Sequence, residues 1–184
     1  MRDVTLARAP RTIALALLVL AGCATCAVAA GEAPAAARPD ATDSQRQSDV
    51  RRAGAEVMPF SLDRTLHTFD KTAEGGVQRV HARDRDPDQI AMIRMHLHAI
   101  AEAFAKRDFD APMHIHGAGM PGLAELKAAG PRELSVTYRD TADGAEVDYV
   151  AHSPAVLAAI HRWFDAQLAD HGRDAATSGG THRR

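Results

Sequence analysis

Cysteine is scarce in this chain of 184 residues, and the positions of its two cysteines limit the chemistry of the rest. Cys23 and Cys26 both lie near the N-terminus, so the remaining sequence has no thiol. This absence excludes a disulfide framework, a thiolate metal site and a cysteine nucleophile from that part of the chain. A transition-metal site there must use histidine, methionine or carboxylate ligands.

A strong net charge is also lacking. The chain has 22 Lys and Arg residues and 24 Asp and Glu residues, which gives a net charge of -2 at neutral pH. Proteins that bind nucleic acid through its phosphates have a concentrated basic surface, so we expect no nucleic acid partner. The sequence contains neither a GxSxG nor an HExxH motif, which argues against two common hydrolase mechanisms.

The first thirty residues have the pattern of an export signal. Arg2, Arg8 and Arg11 precede an apolar run at 12–20 that is too short to span a bilayer comfortably. The run ends in Leu-Ala-Gly-Cys, a lipoprotein cleavage box that predicts lipidation of Cys23 and attachment to a membrane. The next residue is alanine and not aspartate, which favours the outer membrane.

A second cleavage site leaves an alternative open. The sequence Ala-Val-Ala ends at Ala29 and has the small-x-small pattern that releases soluble proteins. Cleavage there gives a soluble periplasmic or secreted protein. Both cleavage sites put the remaining chain outside the cytoplasm, and we expect a periplasmic protein anchored through Cys23.

The chain after the signal divides into three segments. Residues 31–56 consist mainly of Ala, Pro, Asp, Gln and Arg, with no apolar side chain larger than valine, and we expect a flexible linker. Residues 57–174 are long enough for a single globular domain. Residues 175–184 are expected to form a disordered tail.

The domain has the pattern of an α+β fold. Asp86-Pro87 and Ser153-Pro154 are helix-starting pairs, each followed by apolar residues at steps of three and four. Alternating segments on either side of glycine-containing turns predict two β-hairpins that form a small antiparallel sheet, with two main amphipathic helices on one face. The predicted order is a hairpin at 59–80, a helix at 87–107, a short helix at 123–129, a hairpin at 134–149 and a helix at 154–171.

Ten histidines are an unusually large number, and four of them occur in two His-x-His pairs. His96 and His98 lie on the predicted helix, where residues two apart point to nearly opposite sides and cannot bind one ion. His114 and His116 are expected in an extended, glycine-rich segment that turns Met120 toward them. Two imidazoles and a thioether favour copper over zinc. The alternative is a plain loop in which the methionine fills a gap in the core.

In the first hairpin, the alternation is loose. Phe60, Leu62 and Leu66 are expected on one face, with His67 and Phe69 on the other. His67 contributes to the metal site if its face of the sheet meets the segment that carries the His-x-His pair.

The last helix carries two histidines on its apolar stripe, His161 and His171. A buried neutral imidazole needs polar partners, so each implies a polar feature at the core. They lie about 15 Å apart along a straight helix, so one ion cannot bind both. His161 is the better ligand candidate because Asp165, one turn on, is placed to orient its ring. The same two residues are the candidate general base and its partner if the protein is an enzyme.

Four segments, TLHTFDKTAEGGVQRV, IRMHL, IHGAGMPGL and AIHRWFDAQLADHG, resemble a family of small exported bacterial proteins and lipoproteins. The resemblance covers about Met58 to Ala175. It implies no particular activity, but it favours a metal site or a pocket. The positions that it marks as recurrent are His67, His96, His116, Met120, His161 and His171.

Some proteins of that family carry the name aspartate carbamoyltransferase. The sequence Ser-Leu-Asp-Arg-Thr at 61–65 is similar to the Ser-Thr-Arg-Thr phosphate loop of true carbamoyltransferases, but its spacing differs by one residue. Those enzymes have two domains and a much longer chain, and they use a cytoplasmic metabolite. We therefore expect no carbamoyltransferase activity.

Together these features predict a protein of the cell envelope that binds a transition metal, with copper favoured, for metal handling or sensing. The expected ligands are His114 or His116, Met120, and one of His67 or His161. Two alternatives remain open. One is a small periplasmic enzyme with a histidine general base, and the other is a metal-free envelope interaction protein whose histidines respond to acid.

Overall fold

The computed structural model describes residues 41–179. The predicted signal sequence, the lipidation site Cys23, the first part of the predicted linker and residues 180–184 lie outside this range. No helix within 41–179 is long and apolar enough to cross a membrane. In chain order the elements are α1 (Ala41–Val57), β1 (Thr65–Lys71), β2 (Gly75–Ala82), α2 (Pro87–Ala105), α3 (Asp110–His116), α4 (Leu123–Ala128), β3 (Leu134–Thr141), β4 (Gly144–Ala151), α5 (Pro154–His171) and β5 (Ala175–Ala176), with single 3-10 turns at Leu62–Arg64 and Gly172–Asp174.

The strands form one mixed sheet in the order β3-β4-β2-β1-β5. Both predicted hairpins are present as antiparallel pairs, and β2 joins them by pairing with β4. The α+β fold class is therefore confirmed. The sheet differs from the expected one by a fifth strand, because β5 pairs with β1 in the parallel sense and places Ala175 beside His67. The predicted disordered tail is thus wrong at its start, since a two-residue strand has no alternation to recognise.

The two main helices pack on one face of the sheet. The Asp86 carboxylate caps α2 by accepting hydrogen bonds from two backbone N–H groups, and the Ser153 hydroxyl caps α5. Aromatic rings fill the interface, with Phe69 of β1 and Phe164 of α5 meeting edge to face at a centroid distance of 5.3 Å. Other fully buried side chains of this core are Val80, Ile93, Leu97, Val147, Tyr149, Ile160 and Trp163.

Charged side chains cover the middle of the opposite face of the sheet. Glu146 of β4 is only 1% exposed because Arg79 of β2 and Arg139 of β3 lie over it and form ion pairs with it. The Arg79 Nη2 to Glu146 Oε2 distance is 2.6 Å. The sheet therefore separates an apolar core, which contains the aromatic residues, from a polar outer face.

Helix α1 corrects the predicted flexible linker. Residues 41–56 are helical and packed on the domain, although only Val50 and Gly54 of α1 are buried. The helix docks mainly through ion pairs, in which Arg46 binds Asp170 and Arg51 binds Asp174. A prediction that counts apolar side chains misses a helix of this kind, because its sequence is rich in Ala, Arg and Gln, which favour a helix without forming an apolar stripe.

The faces of β1 also differ from the prediction. Phe60 and Leu62 are buried before the strand begins, and the 3-10 turn at Leu62–Arg64 interrupts the alternation. Leu66 is only half-buried, while His67 and Phe69 are buried. The strand therefore points a histidine into the core where the expected pattern places a leucine.

Candidate functional site

A pocket lies between the sheet and the helices, and four histidines line it. Its empty volume is about 490 Å³, including the mouth that opens to solvent. We call it the histidine pocket, after His67, His96, His116 and His171 in its wall. Most of the remaining wall is apolar, and its other polar or sulfur-containing groups are Met58, Gln78, Trp163 and Gln167.

His67 and His171 meet at the junction of the sheet with α5. His67 shares a face of β1 with Phe69, and His171 is the last residue of α5. Gly172 then takes a φ of 52°, which ends the helix beside β1. The two imidazole rings are nearly parallel, at an angle of 7° and a centroid distance of 5.3 Å. Both side chains are buried, so the pair is a feature of the core and not of the surface.

His116, at the end of α3, is the third member of the group. Its ring lies 5.0 Å from that of His171, at an angle of 75°. Its Nδ1 is 2.8 Å from Oδ2 of Asp170, and Arg46 binds the same carboxylate at 2.6 and 3.0 Å. The carboxylate accepts a hydrogen bond from Nδ1–H of the neutral ring, so the lone pair of His116 is on Nε2.

His67 has an unusual hydrogen-bonding state. Its Nδ1 is buried and has no hydrogen-bond partner among the described residues. An unsatisfied buried nitrogen costs free energy, of the order of 1–3 kcal/mol. The lone pair on Nδ1 is therefore available to a hydrogen-bond donor or to a metal ion.

Burial keeps the histidines of the pocket neutral near pH 7. It lowers the pKa of His67 from 6.5 to about 4 and lowers the pKa of His171 well below its ordinary value. Burial also lowers the pKa of His96, and it lowers the pKa of His116 against the opposing effect of Asp170. Metal ions bind the neutral form of imidazole, so burial leaves these side chains in the form that binds.

The segment that contains His114 and His116 is not extended, which corrects the first ligand prediction. Residues 110–116 form α3, so the two side chains point to nearly opposite sides of a helix. His114 is exposed, with its Nε2 3.5 Å from Glu56, while His116 is buried. Pro112 lies in the first turn of α3, where proline is tolerated.

Met120 is also absent from the pocket wall. It is 5% exposed and belongs to the hydrophobic core, which agrees with the alternative in which it fills a gap. A different methionine, Met58 just after α1, lines the histidine pocket.

His161 and Asp165 do not form a dyad. Nε2 of His161 donates to the backbone carbonyls of Thr72 and Gly75, at 3.0 Å each, and so ties α5 to the β1–β2 turn. Asp165 instead forms an ion pair with Lys71. Both residues hold the hairpin against the helix, and neither lines the histidine pocket.

Replacing His161 by alanine is expected to destabilise the fold by about 1 kcal/mol, because the turn carbonyls of Thr72 and Gly75 each lose one of the hydrogen bonds that they accept. Chemical denaturation measures this loss. An unchanged free energy of unfolding would contradict the structural role assigned to His161.

Sequence reasoning missed three contributors to the pocket. His171 had been placed second to His161, although its position on the apolar stripe already indicated burial. His96 lines the pocket and packs edge to face on Phe60, at 5.6 Å. Trp163 also lines it, and its Nε1–H has no acceptor within the described residues. No local pattern in the sequence connects this tryptophan with the histidines.

No group of three or more His, Cys, Asp or Glu side chains within 41–179 is arranged to hold a metal ion as the side chains stand. The nearly parallel rings of His67 and His171 direct their lone pairs along similar planes and not toward one point. The chain matches no protein-family model, no curated protein and no solved structure. The chemistry of the pocket is therefore the basis for assigning a ligand.

Proposed function

We propose that this protein binds a transition-metal ion in the histidine pocket, with copper favoured, through His67, His116 and His171. The observation that carries the proposal is the unpartnered, buried Nδ1 of His67 beside two other neutral imidazoles. With the ring of His171 turned, a metal ion would satisfy this lone pair together with those of the neighbouring rings. These ligands replace the predicted set, of which only His67 and His116 line the pocket.

Binding requires one ring to turn. The ring centroids of His116 and His67 lie 5.0 and 5.3 Å from that of His171, so His171 is the central ring. His171 makes no side-chain hydrogen bond to another described residue, and rotation of its ring therefore breaks none there. His116 keeps its outer hydrogen bond to Asp170, as metal-binding histidines usually do.

Copper is favoured by the type of ligand. Met58 adds a soft thioether to the imidazoles in the pocket wall, and no thiolate is present in the domain for a cysteine-based zinc site. Thioether and imidazole ligands in an apolar pocket suit Cu(I). A site made of three imidazoles and an open position also suits Zn(II), so the two metals must be compared directly.

The proposed setting is the cell envelope. The predicted export signal places the domain outside the cytoplasm, and the predicted lipid at Cys23 anchors it to a membrane, for which we favour the outer one. A pocket without an obvious nucleophile, in which all the candidate ligands are neutral, supports a role in metal handling or sensing.

The test begins with the metal content of the protein purified without a histidine tag. Titration with Cu(I), Cu(II) and Zn(II) against a competing chelator then gives stoichiometry and affinity. We expect one copper per chain. The variant His171→Phe keeps an aromatic ring in the core and is expected to bind at least about 100-fold more weakly, since losing a ligand costs more than the 10–100-fold typical of losing its hydrogen-bond partner.

The matched control is His114→Ala, which removes an exposed histidine from the same helix that carries His116. We expect this variant to bind copper as the parent protein does. Equal affinity in the His171 and His114 variants would contradict the proposed site.

A second candidate function is an enzyme or binding protein for a small uncharged molecule. The pocket wall is mainly apolar, and the unpartnered Trp163 Nε1–H within it is available to a ligand oxygen. His116 and Asp170 have the geometry of a general base and its orienting carboxylate, in place of the predicted His161 and Asp165. Trp163 is the only tryptophan, so its fluorescence reports on small molecules that enter the pocket.

A further inference from the structure

We infer that helix α1 is a clasp, in which Arg46 and Arg51 position two histidines of the pocket. Arg46 binds Asp170, whose carboxylate is hydrogen-bonded to His116, and Arg51 binds Asp174, which directly precedes the strand partner of His67. The positioning itself follows from contacts in the described chain. Its effect on metal affinity rests on the proposed function.

Arg46 holds His116 in two ways. Its guanidinium binds both carboxylate oxygens of Asp170, and Oδ2 of this carboxylate is also the partner of His116 Nδ1. In addition, Arg46 Nη2 donates to the backbone carbonyl of His116 at 2.7 Å. The paired, planar contact fixes the position of the carboxylate, which fixes the plane of the imidazole. Both the ring and the end of α3 are therefore attached to α1.

Arg51 acts one turn further along α1. It forms ion pairs with Asp174 and with Asp63. Asp174 is buried at the end of the turn that follows α5, and the next residue, Ala175, pairs with His67 in the sheet. Arg51 therefore fixes the turn that leads into the strand beside the second histidine.

The contacts that dock α1 on the domain are mainly polar, so α1 can undock. Val50 and Gly54 are its only buried residues, so apolar burial contributes little to docking. The end of α1 also closes the pocket, because Val57 and the following Met58 lie in the wall. Undocking of α1 would therefore break the ion pairs of Asp170 and Asp174, move the thioether of Met58 away and open the pocket at the same time.

The test compares Arg46→Ala with Arg52→Ala in the full protein. Arg52 is the matched control, because it lies on the same helix and its ion pair within 41–179 is with Asp49 of the same helix. The first readout needs no metal: NMR of ¹⁵N-labelled histidine at a pH above 7 gives the tautomer of each ring. We expect the Nδ1–H form of His116 in the parent and in Arg52→Ala, and a mixture of tautomers in Arg46→Ala.

The second readout is Cu(I) affinity in the same variants. We expect a 10–100-fold loss in Arg46→Ala, which is typical of removing support from a metal-binding histidine, and no change in Arg52→Ala. If Arg46→Ala does not fold, Arg46→Lys keeps the charge without the paired contact and is expected to change both readouts in the same direction.

The outcomes separate the two proposals. A changed His116 tautomer in Arg46→Ala with no copper binding by the parent protein supports the clasp and contradicts the proposed function. Copper binding that is equal in the Arg46 and Arg52 variants, with the same His116 tautomer in both, overturns the clasp and leaves the metal site standing.

Discussion

The metal-free protein is expected to lose stability steeply as the pH falls from 6.5 to about 4. Burial lowers the pKa of His67 over this interval, so the unfolded chain takes up a proton that the folded chain does not. The stability due to neutral His67 is fully present above pH 6.5 and is lost toward the folded pKa. The shift corresponds to about 3 kcal/mol for this residue alone.

Neighbouring groups add to the effect. His96, His81 and His116 lower the pKa of His67 further, whereas the backbone of Asp174 raises it. His171 has its pKa lowered well below 6.5 and contributes in the same direction. The paired carboxylates act at lower pH, because Arg46 holds the pKa of Asp170 below 3.8 despite its burial. The stability that is lost between pH 6.5 and 4 is therefore due mainly to the histidines.

Urea denaturation at a series of pH values measures this prediction. In His67→Phe the fall in unfolding free energy between pH 6.5 and 4 is expected to be smaller. In His98→Ala, which removes an exposed histidine, we expect the same fall as in the parent. Identical pH profiles for the parent and His67→Phe would show that His67 is not held neutral by the fold.

Copper is expected to stabilise the folded protein by about 4 kcal/mol when free Cu(I) is a thousandfold above its dissociation constant. The reason is that the pocket histidines are brought together only in the folded state. For a domain of this size, such a gain raises the melting temperature by roughly 10 °C. Differential scanning calorimetry under reducing, oxygen-free conditions measures the shift.

The variants locate the source of this stabilisation. We expect the shift to persist in His114→Ala and in Met120→Ala, once their own melting temperatures are taken as references, because neither residue lines the pocket. We expect it to disappear in His67→Phe and in His171→Phe. A shift in melting temperature that disappears in Met120→Ala and persists in His171→Phe would support the ligand set predicted from the sequence.

Much of the fold could be predicted from periodicity and capping. The helix that begins at Pro87 and the helix from Pro154 to His171 follow from their caps and apolar stripes, and both hairpins follow from alternation and glycine turns. These signals are local, and the energies behind them come from contacts made along each element. Helix α1 was missed because its docking energy comes from ion pairs with residues far away in the sequence.

The candidate site was predicted only in part. Of the predicted ligands, His67 and His116 both line the pocket, whereas His114, Met120 and His161 do not. His114 and Met120 were both predicted as ligands because His114 and His116 were assumed to lie on an extended segment. That segment is helical. The stripe of α5 did carry information on His171, yet whether a histidine on such a stripe binds a turn or lines a pocket depends on tertiary contacts.

The most direct test of the proposed metal site is the X-ray absorption spectrum of the protein loaded with one equivalent of Cu(I). We predict the multiple-scattering pattern of two or three imidazole rings, with a sulfur scatterer from Met58 that disappears in Met58→Leu. In His171→Phe the imidazole contribution is expected to fall. A spectrum without imidazole scattering, or one that is identical in the parent and in His171→Phe, would contradict a metal site in the histidine pocket.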